Sequence, residues 1–257
     1  MFLVMINSPQ LLFFNPKESF MSYVIPAPKQ PVIDVVGTDA KFPVRRIWCV
    51  GRNYADHARE MGHDPNREPP FFFQKPSDAV VASGSTIDYP PMTKDLHHEI
   101  ELVICIGKGG RNIPVEKALD HVYGYALGLD MTRRDLQSDA KKLQRPWEMG
   151  KAFDESCPIT PIQPVSKIGH PKAGAIWLKV NGEVKQKGDL NQQIWQIDEA
   201  ISYLSTYGLL EAGDIIMNGT PAGVGPCKAG DVLEGHCDGV GDLTITYRAA
   251  DALKKAA

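Results

Sequence analysis

The run HHEIELVICIG at residues 97–107 constrains the fold more than any other stretch of the chain. Strand alternation places Ile100, Leu102, Ile104 and Ile106 on one face, and Glu99 and Glu101 together on the other. A strand with so apolar a face needs partners, and the sequence offers them at 45–50 (RRIWCV), 122–130 (VYGYALGLD), 175–180 (AIWLKV), 214–218 (DIIMN) and 242–247 (DLTITY). Gly, Pro and Asp turns separate these runs, and Asn181-Gly182 is a two-residue hairpin signal. Helical periodicity is confined to 54–61, 132–143 and 197–207. The pattern predicts an α+β, β-rich fold.

At 257 residues the chain is long enough for one large domain, and it carries no repeat or low-complexity tract. With 28 basic against 31 acidic residues it has no positive surplus for nucleic acid. Five cysteines without a CxxC pair read as small packing residues in a reducing, cytoplasmic setting, and none has the context of an activated thiolate. The opening MFLVMINSPQLLFFN lacks a basic leader and is broken by Asn7, Ser8 and Pro9, so it is read as neither a signal peptide nor a membrane span. Residues 1–43 are expected to be an N-terminal extension and an extended Pro-rich arm, with the folded domain over 44–257 and its ordered core starting at residue 45.

Glu99 and Glu101 lie two residues apart, about 7 Å of strand rise. Alone they could be a solvent-facing strand edge. Asp130 changes the balance: it ends the apolar run YGYALGLD, where a desolvated carboxylate needs a cation or several donors. Three carboxylates with no thiolate make a hard oxygen site, suited to Mg²⁺, Mn²⁺ or Ca²⁺ rather than zinc. Lys151 is the first candidate for a positive group beside them, against the alternative of an ordinary solvated lysine.

GRNYADHAREMG reads as a short helix with Asn53 as N-cap, Asp56 in its first turn and Gly62 as its stop. His57 and Glu60, three apart, share a face, so the carboxylate can hold one ring nitrogen and leave the other to accept a proton. A surface His-Glu pair is the competing reading. Two marginal turns followed by the irregular HDPNREPP suggest a lid. The glycine-rich NGTPAGVGP lacks the Gly-Lys-Ser/Thr ending of a phosphate loop.

GRNYADHAREMG, FQKPSD, HHEIEL, LGLDMTRRDLQ, GKAFDESCP and NGTPAGVG occur in fixed order, and over residues 44–248 the chain resembles the fumarylacetoacetate hydrolase family, specifically its short acylpyruvate hydrolase branch. The resemblance implies a mixed β-roll or sandwich of the family's C-terminal-domain type, a homodimer, and a catalytic domain that binds Mg²⁺ or Mn²⁺ and cleaves carbon–carbon bonds in 2,4-diketo acids. It implies Glu99, Glu101 and Asp130 as metal ligands, His57 and Glu60 as a water-activating dyad, and Lys151 as a catalytic ammonium. Arg134, Gln137 and Thr220 are implied to face substrate, although Arg134 could instead lie on a solvated helix face with Arg133, Lys141 and Lys142. Lys75 in FQKPSD stays outside this core assignment. PPFFFQKPSDAVV and RPWEMGKAFDESCPI resemble bacterial gentisate-pathway hydrolases, which makes fumarylpyruvate the expected substrate. Oxaloacetate decarboxylation or tautomerisation is the enzymatic alternative, and a catalytically silent metal-binding homologue the other.

Overall fold

Every residue of the strand Ile100–Ile106 is buried. Ile100, Leu102, Ile104 and Ile106 join one hydrophobic cluster, while Val103 and Cys105 join a second on the opposite face. A strand covered on both faces belongs in the interior of a sheet. The computed structural model, which describes residues 22–60 and 68–250, places it there. The large sheet runs Phe71–Lys75, Arg46–Gly51, Asp214–Met217, Ile100–Ile106, Val122–Leu129, Cys157–Ile159, Val80–Ala82, and Gln163–Pro164 also pairs with Val122–Leu129. It is mixed: Asp214–Met217 runs parallel to Arg46–Gly51, and Cys157–Ile159 parallel to Val80–Ala82.

A second sheet of five strands, in the order Glu183–Asp189, Ala175–Val180, Val232–Cys237, Gly241–Arg248, Thr86–Asp88, packs over the first cluster. Its Ile176, Leu178, Leu233, Leu243 and Ile245 meet Ile100, Leu102 and Leu127 there. The hairpin at Asn181-Gly182 forms with Val180 opposite Glu183, and both turn residues take positive φ (52° and 82°), as a tight primed turn requires. The helix Ile197–Tyr207 covers the same core with Ile197, Ala200, Ile201 and Leu204, and Glu199 reaches back to the Gln196 amide. The result is the β-rich α+β sandwich expected from the sequence.

Two expectations are corrected. Ordered packing begins before residue 45: Val32–Asp34 and Lys41–Pro43 pair antiparallel, and Ile33, Phe42 and Val44 are buried in the second cluster. The physical reason is that the second face of the large sheet is as apolar as the first and needs this cover. The helix expected over 132–143 starts at Arg134, because Thr132–Arg133 pairs as a short strand with Leu96–His98. Expectations for residues 1–20 and for Gly62 lie outside the described residues. All five cysteines are free and buried, and no helix among the described residues is long and apolar enough to cross a membrane.

Candidate functional site

Antiparallel pairing assembles the acidic centre. Ile100 lies opposite Leu129, so the start of one central strand sits beside the end of the next, and Glu99, Glu101 and Asp130 converge. The Asp130 amide donates to the Glu99 carbonyl (2.9 Å), fixing the two segments to each other. One oxygen from each carboxylate lies within 4.8 Å of the others, and all three residues are buried. Two further segments deliver cations: Lys151 from the short helix Glu148–Lys151, and Lys75 from the end of Phe71–Lys75.

Lys151 Nζ donates to Glu99 Oε2 (2.8 Å) and Asp130 Oδ2 (2.7 Å). Burial pushes its pKa down, but Asp130 and Glu99 outweigh burial and hold it above the ordinary lysine value, so it stays charged. Lys75 Nζ donates to the carbonyls of Met131 (2.9 Å) and Lys151 (2.5 Å) and lies 2.9 Å from Asp130 Oδ1. That last contact is ionic without hydrogen-bond geometry, which leaves Asp130 Oδ1 buried and accepting no hydrogen bond.

The acids divide by their neighbours. Burial would raise Glu99, yet Lys151 and Arg134 hold it well below the usual carboxylate range. Burial, Asp130 and Glu99 together push Glu101 well above that range. A buried carboxylate that resists ionisation, beside an Asp oxygen lacking a hydrogen bond, is a site one cation short. Hard oxygen donors of this kind fit Mg²⁺ or Mn²⁺.

The helix Ala55–Glu60 brings His57 to the cavity that these groups line. His57 is buried against the cavity, and its Nδ1 lies 3.3 Å from Glu60 Oε2. Glu60 stands behind it and accepts from the Gly223 amide at 3.1 Å on both oxygens. Burial lowers the His57 pKa, against the opposing pull of Glu99 and Glu60. Asn53 is not the helix cap that its position suggests. Its side chain donates to the carbonyls of Trp195 (2.9 Å) and Asn218 (2.8 Å) and accepts from the Trp195 amide (2.7 Å), tying the helix entry to two loops.

Arg134 and Gln137 face inward from the helix Arg134–Lys142, so the solvated-face alternative for Arg134 is overturned. Arg134 pairs with Glu99 and donates to Gln137 Oε1 (2.7 Å). Thr220 Oγ1 accepts from Gln186 Nε2 (2.8 Å), which leaves its own hydroxyl hydrogen to donate. Gln186 also takes hydrogen bonds at Oε1 from His98 (2.9 Å) and the Ile100 amide (3.1 Å), so it locks Thr220 to the central strand. Neither Gln186 nor His98 stands out in the sequence. Arg52, Lys141, Phe71, Phe73 and Trp147 line the same cavity and were also missed, although Lys141 lies seven residues past Arg134, on the same helix face.

Gly219 joins the two loops at this centre. Its amide donates to Glu101 Oε2 (2.8 Å), its φ is +87°, and an added Cβ would lie 2.4 Å from the Asn53 Cβ. Gly219→Ala should cost about 1–3 kcal/mol through strain and displace the amide from Glu101. Thermal melting and divalent-ion calorimetry would read both effects, and a wild-type melting curve with wild-type ion affinity would refute this account.

Residues 46–247 match the family described as Fumarylacetoacetate (FAA) hydrolase C-terminal. The chain belongs to the fumarylacetoacetate hydrolase family. A structure of fumarylpyruvate hydrolase from Pseudomonas aeruginosa in complex with Mn²⁺ and pyruvate is 53% identical, superposes with a TM-score of 0.86, and is covered completely while 89% of this chain is matched. Oxaloacetate tautomerase FAHD1, mitochondrial, of Mus musculus is 47% identical over 216 residues, 81% of this chain and 97% of the relative. Oxaloacetate decarboxylase, mitochondrial, of Dictyostelium discoideum is 47% identical over 191 residues, 74% of this chain and 87% of the relative. The names of these relatives divide between fumarylpyruvate and oxaloacetate, and the chain is an enzyme-family member whose buried acidic triad suits a divalent cation.

Proposed function

We propose that this protein is a divalent-metal-dependent acylpyruvate hydrolase, with fumarylpyruvate as its substrate and fumarate and pyruvate as its products. The observation that carries the reading is the convergence in one cavity of an oxygen triad, the His57 ring with Glu60 behind it, and the Lys151 ammonium. Glu99, Glu101 and Asp130 would hold Mg²⁺, or Mn²⁺, which supplies electrophilic polarisation of the 2-keto acid oxygens and makes the pyruvoyl carbon an acceptable leaving group.

The protein's own groups then have separable tasks. With Nδ1–H held by Glu60, His57 presents Nε2 as the base that takes a proton from water. Hydroxide adds to the distal carbonyl, and Lys151 donates to the oxyanion that forms there. Collapse breaks the carbon–carbon bond: the acyl half keeps the hydroxyl as a carboxylic acid, and the pyruvoyl half takes up the proton. Arg134, Gln137 and Thr220 bind and orient the substrate head. The helix Ala55–Glu60 sets His57 in the wall of this cavity, and in this proposal it serves as a lid over the bound substrate. A homodimer in the cytoplasm completes the proposal; the five free cysteines suit a reducing compartment.

The 47% identity to an oxaloacetate tautomerase and to an oxaloacetate decarboxylase favours a second reading in which the same cavity handles oxaloacetate. The deciding assay follows loss of the fumarylpyruvate enol with product analysis, beside acetylpyruvate and oxaloacetate, with Mg²⁺ and with EDTA. EDTA-sensitive release of pyruvate and fumarate is expected. Carbon dioxide release or keto–enol interconversion from oxaloacetate alone would replace the hydrolase with the second reading.

A further inference from the structure

The residues around the cavity fall into a floor and a rim. Glu99, Glu101, Asp130, Lys151, Arg134 and Gln137 are buried, whereas Arg52, Lys141, Phe71 and Trp147 are half-buried and stand between that floor and solvent. Two of the rim residues are cations, and neither is paired with a carboxylate among the described residues. Each rests on an aromatic wall: Arg52 Cζ lies 5.2 Å from the Phe71 ring centre, and Lys141 Nζ 4.9 Å from that of Trp147. The two walls meet edge to face, with ring centres 5.6 Å apart. Lys142, one residue further along the helix, has the opposite arrangement, lying out in solvent 3.6 Å from Asp139.

Like charges crowded at a half-buried rim repel each other, and the remedy that the cavity can accept is an anion. The floor does not need one there, since Glu99 already answers Arg134 and Lys151. We propose that Arg52 and Lys141 form a second carboxylate subsite, which selects 2-keto acids carrying another carboxylate at the far end of the chain. This rests on the acylpyruvate reading for the placement of the 2-keto acid head at the floor, and it deepens that reading by assigning residues to substrate choice. The edge-to-face rim rings give a flat, unsaturated acyl chain apolar cover between the two charged ends. Cations held by ring faces rather than by acids remain available to a ligand, and the guanidinium of Arg52 can grip a carboxylate with two parallel bonds.

The test uses binding rather than turnover, with a matched pair of unreactive acids. 2-Oxoheptanedioate and 2-oxoheptanoate share a chain length and a 2-keto acid head, lack the 4-keto group that hydrolysis needs, and differ only in the distal carboxylate. Calorimetry on the Mg²⁺-loaded protein should show the diacid binding about 10- to 100-fold tighter, the range of a charge-assisted hydrogen bond. Lys141→Met and Arg52→Asn should each remove much of that preference, and Lys141→Arg should keep it. Asn is chosen at residue 52 because that backbone has φ of 56°, which Asn tolerates. Added salt should narrow the wild-type preference, as expected for a rim open to solvent.

Equal binding of the two acids by the wild type, or a preference that survives both substitutions, would overturn the proposal. Loss of affinity for both acids to the same degree would reduce Lys141 and Arg52 to structural support of the rim. Failure of either acid to bind would sink the placement of the head as well. A wild type that prefers the diacid yet cleaves no acylpyruvate would instead retain the subsite and discard the hydrolase reading.

Discussion

Replacement of His57 by Ala should lower kcat on fumarylpyruvate by about 10²–10⁴, the usual worth of a positioned general base. Metal binding should survive, because the triad is built from strand ends and Glu60 keeps its two contacts with the Gly223 amide. Divalent-ion calorimetry on the variant separates loss of the base from collapse of the site. The pH dependence gives a second reading of the same residue. Burial lowers the folded pKa of His57 below its ordinary 6.5, so the neutral, proton-accepting form persists to lower pH than for a free imidazole. The acidic limb of kcat/KM against pH should therefore fall below 6.5, and it should vanish in His57→Ala. Full turnover in the variant, or an acidic limb unchanged by it, would take His57 out of the mechanism.

Much of this site was legible because its chemistry is carried by residues whose types contradict their surroundings. Asp130 ends a run of apolar residues, and the desolvation argument made from that position is what the structure bears out: it is wholly buried, with two ammonium groups against it. The pair Glu99 and Glu101 was ambiguous only so long as one face of their strand was taken to meet water. Val103 and Cys105 follow them on that same face, and two apolar residues there already mark it as covered. Extending the alternation by those two positions removes the solvent-edge alternative.

The parts that stayed illegible depend on pairing between distant segments. Nothing in FQKPSD says that Lys75 will arrive 2.9 Å from Asp130, since that contact needs Phe71–Lys75 to take the edge of the large sheet. Gln186 is the one buried residue of its strand, and its burial follows from the bonds it makes to His98, Ile100, Thr220 and Pro221. Asn53 misled for a related reason: Asn before a helix is a good cap, yet here the same amide satisfies backbone groups more than 140 positions away. Local propensity names the candidates for such a residue, and tertiary competition picks among them. Lys141 was obscured by its basic neighbours Arg133 and Lys142, since charge count alone does not tell the inward face of a helix from the outward one.

Charge removal at two of the triad positions should have opposite effects on the metal-free protein. Asp130→Asn takes the counter-charge from Lys75 and Lys151, and uncovering a buried charge typically costs about 3–5 kcal/mol. For a chain of this size that is a fall in Tm of roughly 6–20 °C. Glu101→Gln removes a carboxylate whose folded pKa is raised well above 4.5 by burial and by Asp130 and Glu99. A raised carboxyl pKa means that the ionised form opposes folding above the unfolded pKa, a penalty that fades as pH falls through the folded value. The Gln variant escapes the penalty and can still accept from the Gly219 amide, so its Tm at neutral pH should equal or exceed that of the wild type, and the difference should close in acid. Addition of Mg²⁺ should place the wild type above both variants. The wild type should gain about 2.7 kcal/mol at an ion concentration 100 times Kd, whereas each variant, short of one anionic ligand, should gain far less. Equal metal-induced shifts in all three proteins would show that the carboxylates do not bind the ion. A destabilised Glu101→Gln without metal would show that the crowding of acids at this centre is already relieved by groups other than a bound cation.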